Sequence, residues 1–179
     1  MQDKFKIYII QMHTNTLPAR LIKIFTRYEY SHIAISLDKS CNRIYSFGRK
    51  KVNNFLNGGF VVQERQGEFF KKFKNTMCRI YELEVSLEQY NSIESKLYEM
   101  EERSDEYKYD FWGIGMRLLK IPVTFKNKYV CSYFVAELLE TSGICTFGKQ
   151  VCLAVPKDFE QIKGAKEIYT GKYSEYKMN

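Results

Sequence analysis

The seven residues from Phe5 to Gln11, FKIYIIQ, constrain the fold more than any other stretch. They are rich in Ile and Tyr and read as a buried strand. The chain supplies partners for it. Ser31 to Leu37 alternates and is β-branched, Asp38 to Asn42 is a turn, and Arg43 to Phe47 returns as the second strand of a hairpin. Gly58-Gly59 breaks the chain before a strand at Phe60 to Glu64. Cys78 to Val85, CRIYELEV, alternates cleanly and predicts another strand.

Helical segments punctuate these strands. Leu17 to Tyr28 carries Pro18 in its first turn and Leu21, Ile22, Ile24 and Phe25 as an apolar face. Ser86 and Gln89 form a capping box ahead of Leu87, Tyr90, Ile93, Leu97 and Met100 at helical spacing. Tyr109 to Leu119 predicts a helix that Pro122 punctuates. Cys131 to Thr141 predicts another, with Gly143 at its C-terminal cap. Pro156 opens a short helix, and Glu167 to Tyr169 predicts a closing strand. With no repeat, linker or low-complexity tract, residues 1–179 read as one α+β domain.

Composition removes several function classes. Hydrophobic residues at 45% are spread along the chain, which argues against disorder. The net charge is +7, but the basic residues are scattered, with short clusters only at Arg49-Lys50-Lys51 and Lys71-Lys72. No RNA-binding or zinc-finger signature accompanies them, so no nucleic-acid partner is expected. The five cysteines (Cys41, Cys78, Cys131, Cys145 and Cys152) contain no C-x-x-C pair. Neither a metal site, another cofactor nor a disulfide framework is implied. The N-terminus lacks a signal-peptide pattern, and no segment is long enough to span a bilayer. The expected setting is the reducing cytoplasm. Nothing specifies an oligomeric state.

Two histidines limit any imidazole chemistry to His13 or His32. His32 begins an alternating strand, at a sheet end where side chains converge on a cleft. Cys131 begins an amphipathic helix after Lys126 and Lys128. Unpaired N–H groups and the helix dipole there favour a thiolate and can stabilise an oxyanion. A Cys–His pair works by proton transfer to imidazole as sulfur attacks a carbonyl. Tyr30 and Tyr129 flank the pair as candidate substrate or oxyanion hydroxyls, and His13 is a candidate for the same cleft. Arg49 is a weaker candidate for an acidic substrate group.

The ordered pieces Tyr30–Asp38 (YSHIAISLD), Tyr45–Arg49 (YSFGR), Gly59–Val61 (GFV), Tyr129–Ala136 (YVCSYFVA) and Pro156–Phe159 (PKDF) resemble the circularly permuted NlpC/P60 papain-like proteins, in particular the YiiX-like branch. The resemblance implies a papain-like α+β fold, an antiparallel sheet or small barrel packed against helices, with Cys131 as nucleophile and His32 as base. Relatives cleave amide bonds in cell-wall peptides or move acyl groups on lipids. The implied partner is thus a small peptide or acyl substrate, and the implied activity a cysteine peptidase or amidase. The alternatives are a lipid acyltransferase or thioesterase and a non-catalytic module that keeps the cleft. The third member falls at Ser46, where relatives often carry His or Glu. Serine orients an imidazole by a hydrogen bond but does not stabilise imidazolium as a carboxylate does. Glu64 and Asp110 are the candidate substitutes for it.

Overall fold

The computed structural model describes residues 4–14, 28–51 and 54–177. The helix expected over Leu17–Tyr28 lies outside them, Tyr28 excepted. The strands are β1 (Phe5–His13), β2 (His32–Ser36), β3 (Arg43–Lys51), β4 (Asn54–Glu64), β5 (Met77–Val85), β6 (Lys108–Tyr109), β7 (Lys128–Tyr129) and β8 (Lys166–Lys172). The helices are α1 (Glu68–Lys72), α2 (Leu87–Glu102), α3 (Phe111–Leu118) and α4 (Cys131–Thr141). Six strands form an antiparallel sheet ordered β4-β3-β2-β1-β5-β8, and β6 and β7 make a small parallel pair.

β1 is covered on both sides, which explains its unbroken apolar run. Ile7 and Ile9 join Ile33, Ile35 and Tyr45 under α2 (Ile93, Leu97, Met100) and α4 (Phe134, Val135, Leu138, Leu139). Tyr8, Ile10 and Met12 join Ala34, Ile44 and Ile80 on the opposite face, beneath Phe70 of α1 and the C-terminal Tyr173 and Tyr176. Tyr173 and Tyr176 donate hydrogen bonds to the Cys41 and Lys39 carbonyls, so the chain's last turns close the second core. Residues i and i+1 of a strand point to opposite faces, and here both faces are dry.

The capping box of α2 is present, with Ser86 and Gln89 bonding each other's backbone. At the end of α4, Gly143 takes φ +67 and the Ile144 N–H returns to the Leu139 carbonyl at 3.0 Å. Two expectations are corrected. Gly58 and Gly59 do not break the chain; β4 runs through them. A Cβ at Gly58 would stand 2.7 Å from the Tyr109 Cβ, and one at Gly59 would stand 2.4 Å from the Tyr107 carbonyl oxygen. The glycines let β4 approach this segment closely. The helix expected from Tyr109 starts at Phe111, because the Asp110 carboxylate accepts from the Gly113 N–H at 2.8 Å and so caps it. The preceding Lys108–Tyr109 pairs with Lys128–Tyr129, which sets the entry to α4. No helix among the described residues is long and apolar enough to cross a membrane.

Candidate active site

β2 and β3 share a single register pair, Ile35 with Tyr45, so their ladder is open at the His32 end. Ser46 fills part of this opening. Its hydroxyl donates to the Ile33 carbonyl at 2.6 Å and lies 3.1 Å from His32 Nε2. A hydroxyl has one proton. With that proton on Ile33, Ser46 must accept from Nε2–H, which leaves Nδ1 as the basic nitrogen. Gly48 shares the face of Ser46, two residues along β3, and a Cβ there would stand 3.7 Å from His32 Cε1. The strand thus orients the ring through Ser46 and lies alongside it at Gly48.

Cys131 opens α4. Val130 at the N-cap makes no side-chain cap, so first-turn amides remain available. The amides of Cys131 and Ser132 face the sulfur, and so does the amide of Ile33. Of the polar groups that Ile33 turns toward the open ladder, the carbonyl is bonded by Ser46 and the N–H faces the Cys131 sulfur. Helix α4 is held at this point by the Ser132 hydroxyl, which donates to the Ala154 carbonyl at 2.6 Å.

The two candidates reach the opening from different sides. His32 stands opposite Met12 and so emerges on the second-core face, whereas Cys131 belongs to the first core. They are not hydrogen-bonded to each other in the described structure.

Burial pushes the Cys131 thiol up to about 11, against the opposing pull of the three amides. The expectation that the helix start would lower this pKa is therefore corrected: the amides act in that direction, but desolvation outweighs them. His32 is lowered to about 4, first by burial and then by the Arg49 charge. At neutral pH the resting residues are a thiol and a neutral imidazole.

The remaining candidates sit as follows. Tyr30 is buried under the Arg79 guanidinium, 5.1 Å from its ring, beside Tyr28. Tyr129 stacks on Tyr133 and packs on Phe47, at 4.8 and 5.0 Å, and Tyr133 in turn donates to the Glu137 carboxylate at 2.7 Å. Both tyrosine rings are packing residues. His13 is nearly buried, with Nδ1 3.5 Å from the Ser31 hydroxyl. Asp110 is occupied by its cap and by an ion pair with Arg117 at 2.8 Å. Glu64 stands opposite Arg43 on β4 and lines an open groove with Arg49, Phe69 and Glu101. Of the three residues weighed as third member, Ser46 is the one bonded to the imidazole.

Arg49 and Tyr109 take larger parts than sequence assigned them. The Arg49 guanidinium lies over Phe69 and Phe73, at 5.9 and 5.5 Å, and its charge reaches His32. Tyr109 packs against the core that holds Cys131, and burial raises its hydroxyl pKa. The other four cysteines form no disulfide, and Cys145 is the one not buried. Among the described residues no group of three or more His, Cys, Asp or Glu side chains is arranged to hold a metal.

No protein-family model matches the chain, and no curated protein matches it at a significant level.

Proposed function

We propose that this chain is a cysteine hydrolase of the permuted papain-like, YiiX-like type, acting on an amide bond through an acyl-thioester on Cys131. The observation that carries the reading is the Ile33–Ser46–His32 chain of hydrogen bonds, which commits Nε2 to its proton and keeps Nδ1 free as a base. The amides at the start of α4 support it, because donors that face the nucleophilic sulfur are of the kind that stabilises an oxyanion beside it.

In the proposed reaction the Cys131 sulfur bonds to the carbonyl carbon as its proton passes to His32 Nδ1. A thiol near 11 and an imidazolium near 4 do not exchange a proton at rest. Transfer therefore accompanies attack, and substrate binding must bring the two side chains to proton-transfer distance. The imidazolium, being strongly acidic, then protonates the leaving amine as the carbon–nitrogen bond breaks. Water, deprotonated by the same Nδ1, hydrolyses the thioester and restores the thiol. Ser46 orients the resting ring as a positioning residue.

The test is turnover of an activated ester, p-nitrophenyl acetate, by the folded chain. Loss of turnover in both Cys131→Ala and His32→Gln is expected. Undiminished turnover in Cys131→Ala would refute the proposal.

A further inference from the structure

The solvent face of a surface helix is normally polar, yet that of α3 is not. Trp112, Met116 and Leu119 recur at i, i+4 and i+7 and form one outward stripe. Trp112 is 84% exposed and Leu119 71%. Phe111, Ile121 and Phe125 add further exposed apolar surface. The helix that carries the stripe is anchored. On its inner side Arg117 pairs with Asp110, lies 5.6 Å from the Tyr133 ring of α4, and donates to the Val123 carbonyl at 3.1 Å. The Ile121 N–H returns to the Met116 carbonyl at 3.0 Å and keeps the following loop against the helix end.

Charge is sorted around this surface. From Tyr107 to Ala136 the sole acid is Asp110, internally neutralised by Arg117. The remaining charges are Lys108, Lys120, Lys126 and Lys128, all exposed. Lys126 also faces Glu106, and the Lys128 ammonium lies 5.5 Å from the Phe125 ring. The preceding helix α2 is instead rich in glutamate, with Glu88, Glu94, Glu99, Glu101 and Glu102. An exposed tryptophan-led apolar stripe flanked by lysines and free of unpaired acids is the pattern of a segment seated in the headgroup layer of an anionic membrane.

We infer that α3 and the loop to Phe125 form a docking surface for an anionic lipid bilayer, with Trp112, Met116 and Leu119 inserted among the headgroups and the lysines held at the charged surface. Phe111 packs on Tyr109 at 4.9 Å, and Tyr109 packs against the core that holds Cys131, which links the docked face to the candidate thiol. Docking does not depend on the proposed hydrolysis.

Trp112 is the chain's single tryptophan, so its emission reports this surface alone. The full chain is mixed with vesicles of phosphatidylcholine, or of equal parts phosphatidylcholine and phosphatidylglycerol, and followed by emission and co-sedimentation. The expected result is a shift to shorter wavelength and co-sedimentation with the phosphatidylglycerol vesicles, both weakened by salt. Leu119→Ser with Met116→Ser should lower partitioning at least about tenfold. Lys120→Gln with Lys128→Gln, at exposed positions outside the core, should lower it by about fivefold per lysine. Cys131→Ala should bind as the unaltered chain does, which separates docking from the hydrolase reading. Three results would overturn the inference: no shift or co-sedimentation with either vesicle, lysine variants that bind undiminished, or a shift on concentrating the protein alone with a doubled mass in light scattering, which would assign the stripe to a second copy.

Discussion

Replacing Ser46 by alanine separates the structural and chemical halves of the account. The substitution removes two hydrogen bonds, to the Ile33 carbonyl at 2.6 Å and from His32 Nε2 at 3.1 Å. The carbonyl is buried, and the open β2–β3 ladder offers it no strand partner, so leaving it unsatisfied costs about 1–3 kcal/mol. The imidazole loses less, one neutral hydrogen bond worth about 0.5–1 kcal/mol. A total near 2 kcal/mol, with a urea slope of about 2 kcal/mol/M, moves the unfolding midpoint down by about 1 M. Chemistry should suffer separately. Without its acceptor the ring can turn or carry its proton on Nδ1, and a fall in kcat/KM of at least about tenfold, or 1.4 kcal/mol, is expected. Ser36→Ala is the control. Ser36 is equally buried and donates to the Arg43 carbonyl at 2.8 Å, away from the imidazole. It should lower stability comparably and leave ester turnover per folded molecule unchanged. If Ser46→Ala and Ser36→Ala turn over ester equally well, Ser46 does not position His32.

Three further outcomes follow from the same geometry. His32 is lowered from 6.5 to about 4, so the unfolded chain takes up a proton below 6.5 that the folded chain refuses until about 4. Stability should be complete above pH 6.5, fall by up to about 3 kcal/mol as pH drops toward 4, and level off below; His32→Gln should flatten that part of the profile in urea melts at stepped pH. The Cys131 thiol should ionise near 11, so the difference in thiolate absorbance between the wild-type chain and Cys131→Ala should rise only in strong alkali. A midpoint near neutrality would mean a pre-formed ion pair, contrary to the resting state derived above. Gly59→Ala places a Cβ 2.4 Å from the Tyr107 carbonyl and 2.8 Å from the Lys50 side chain, and should destabilise by more than about 2 kcal/mol in thermal or urea unfolding.

Much of the frame was legible from residue pattern alone. The strands at Phe5, Ser31, Arg43 and Cys78 and the helices at Leu87 and Cys131 stand where alternation, capping and helical spacing predict them. What escaped depends on tertiary contact. Gly58-Gly59 carries a local signal for a break, but the approach of Tyr107 and Tyr109 makes it strand interior. Lys108–Tyr109 pairs with Lys128–Tyr129, a partner twenty residues on, which no local pattern announces. α1 is one short turn whose stability comes from Phe70 packing in the second core. At the site, strand alternation does place Ser46 and Gly48 on one face, so their relation to a neighbouring histidine strand was readable. The sign of the Cys131 shift was not: helix position argues for a low value, and only the packed structure shows that burial reverses it.

In the proposed reaction Cys131 becomes acylated with His32 as its base. Brief incubation with p-nitrophenyl acetate, acid quenching and peptide mass analysis measures it directly. One acetyl group is expected on the peptide bearing Cys131, strongly reduced in His32→Gln and absent in Cys131→Ala. An acetyl group found instead on Cys145, the least buried thiol, or formed on Cys131 at the same rate without His32, would contradict it.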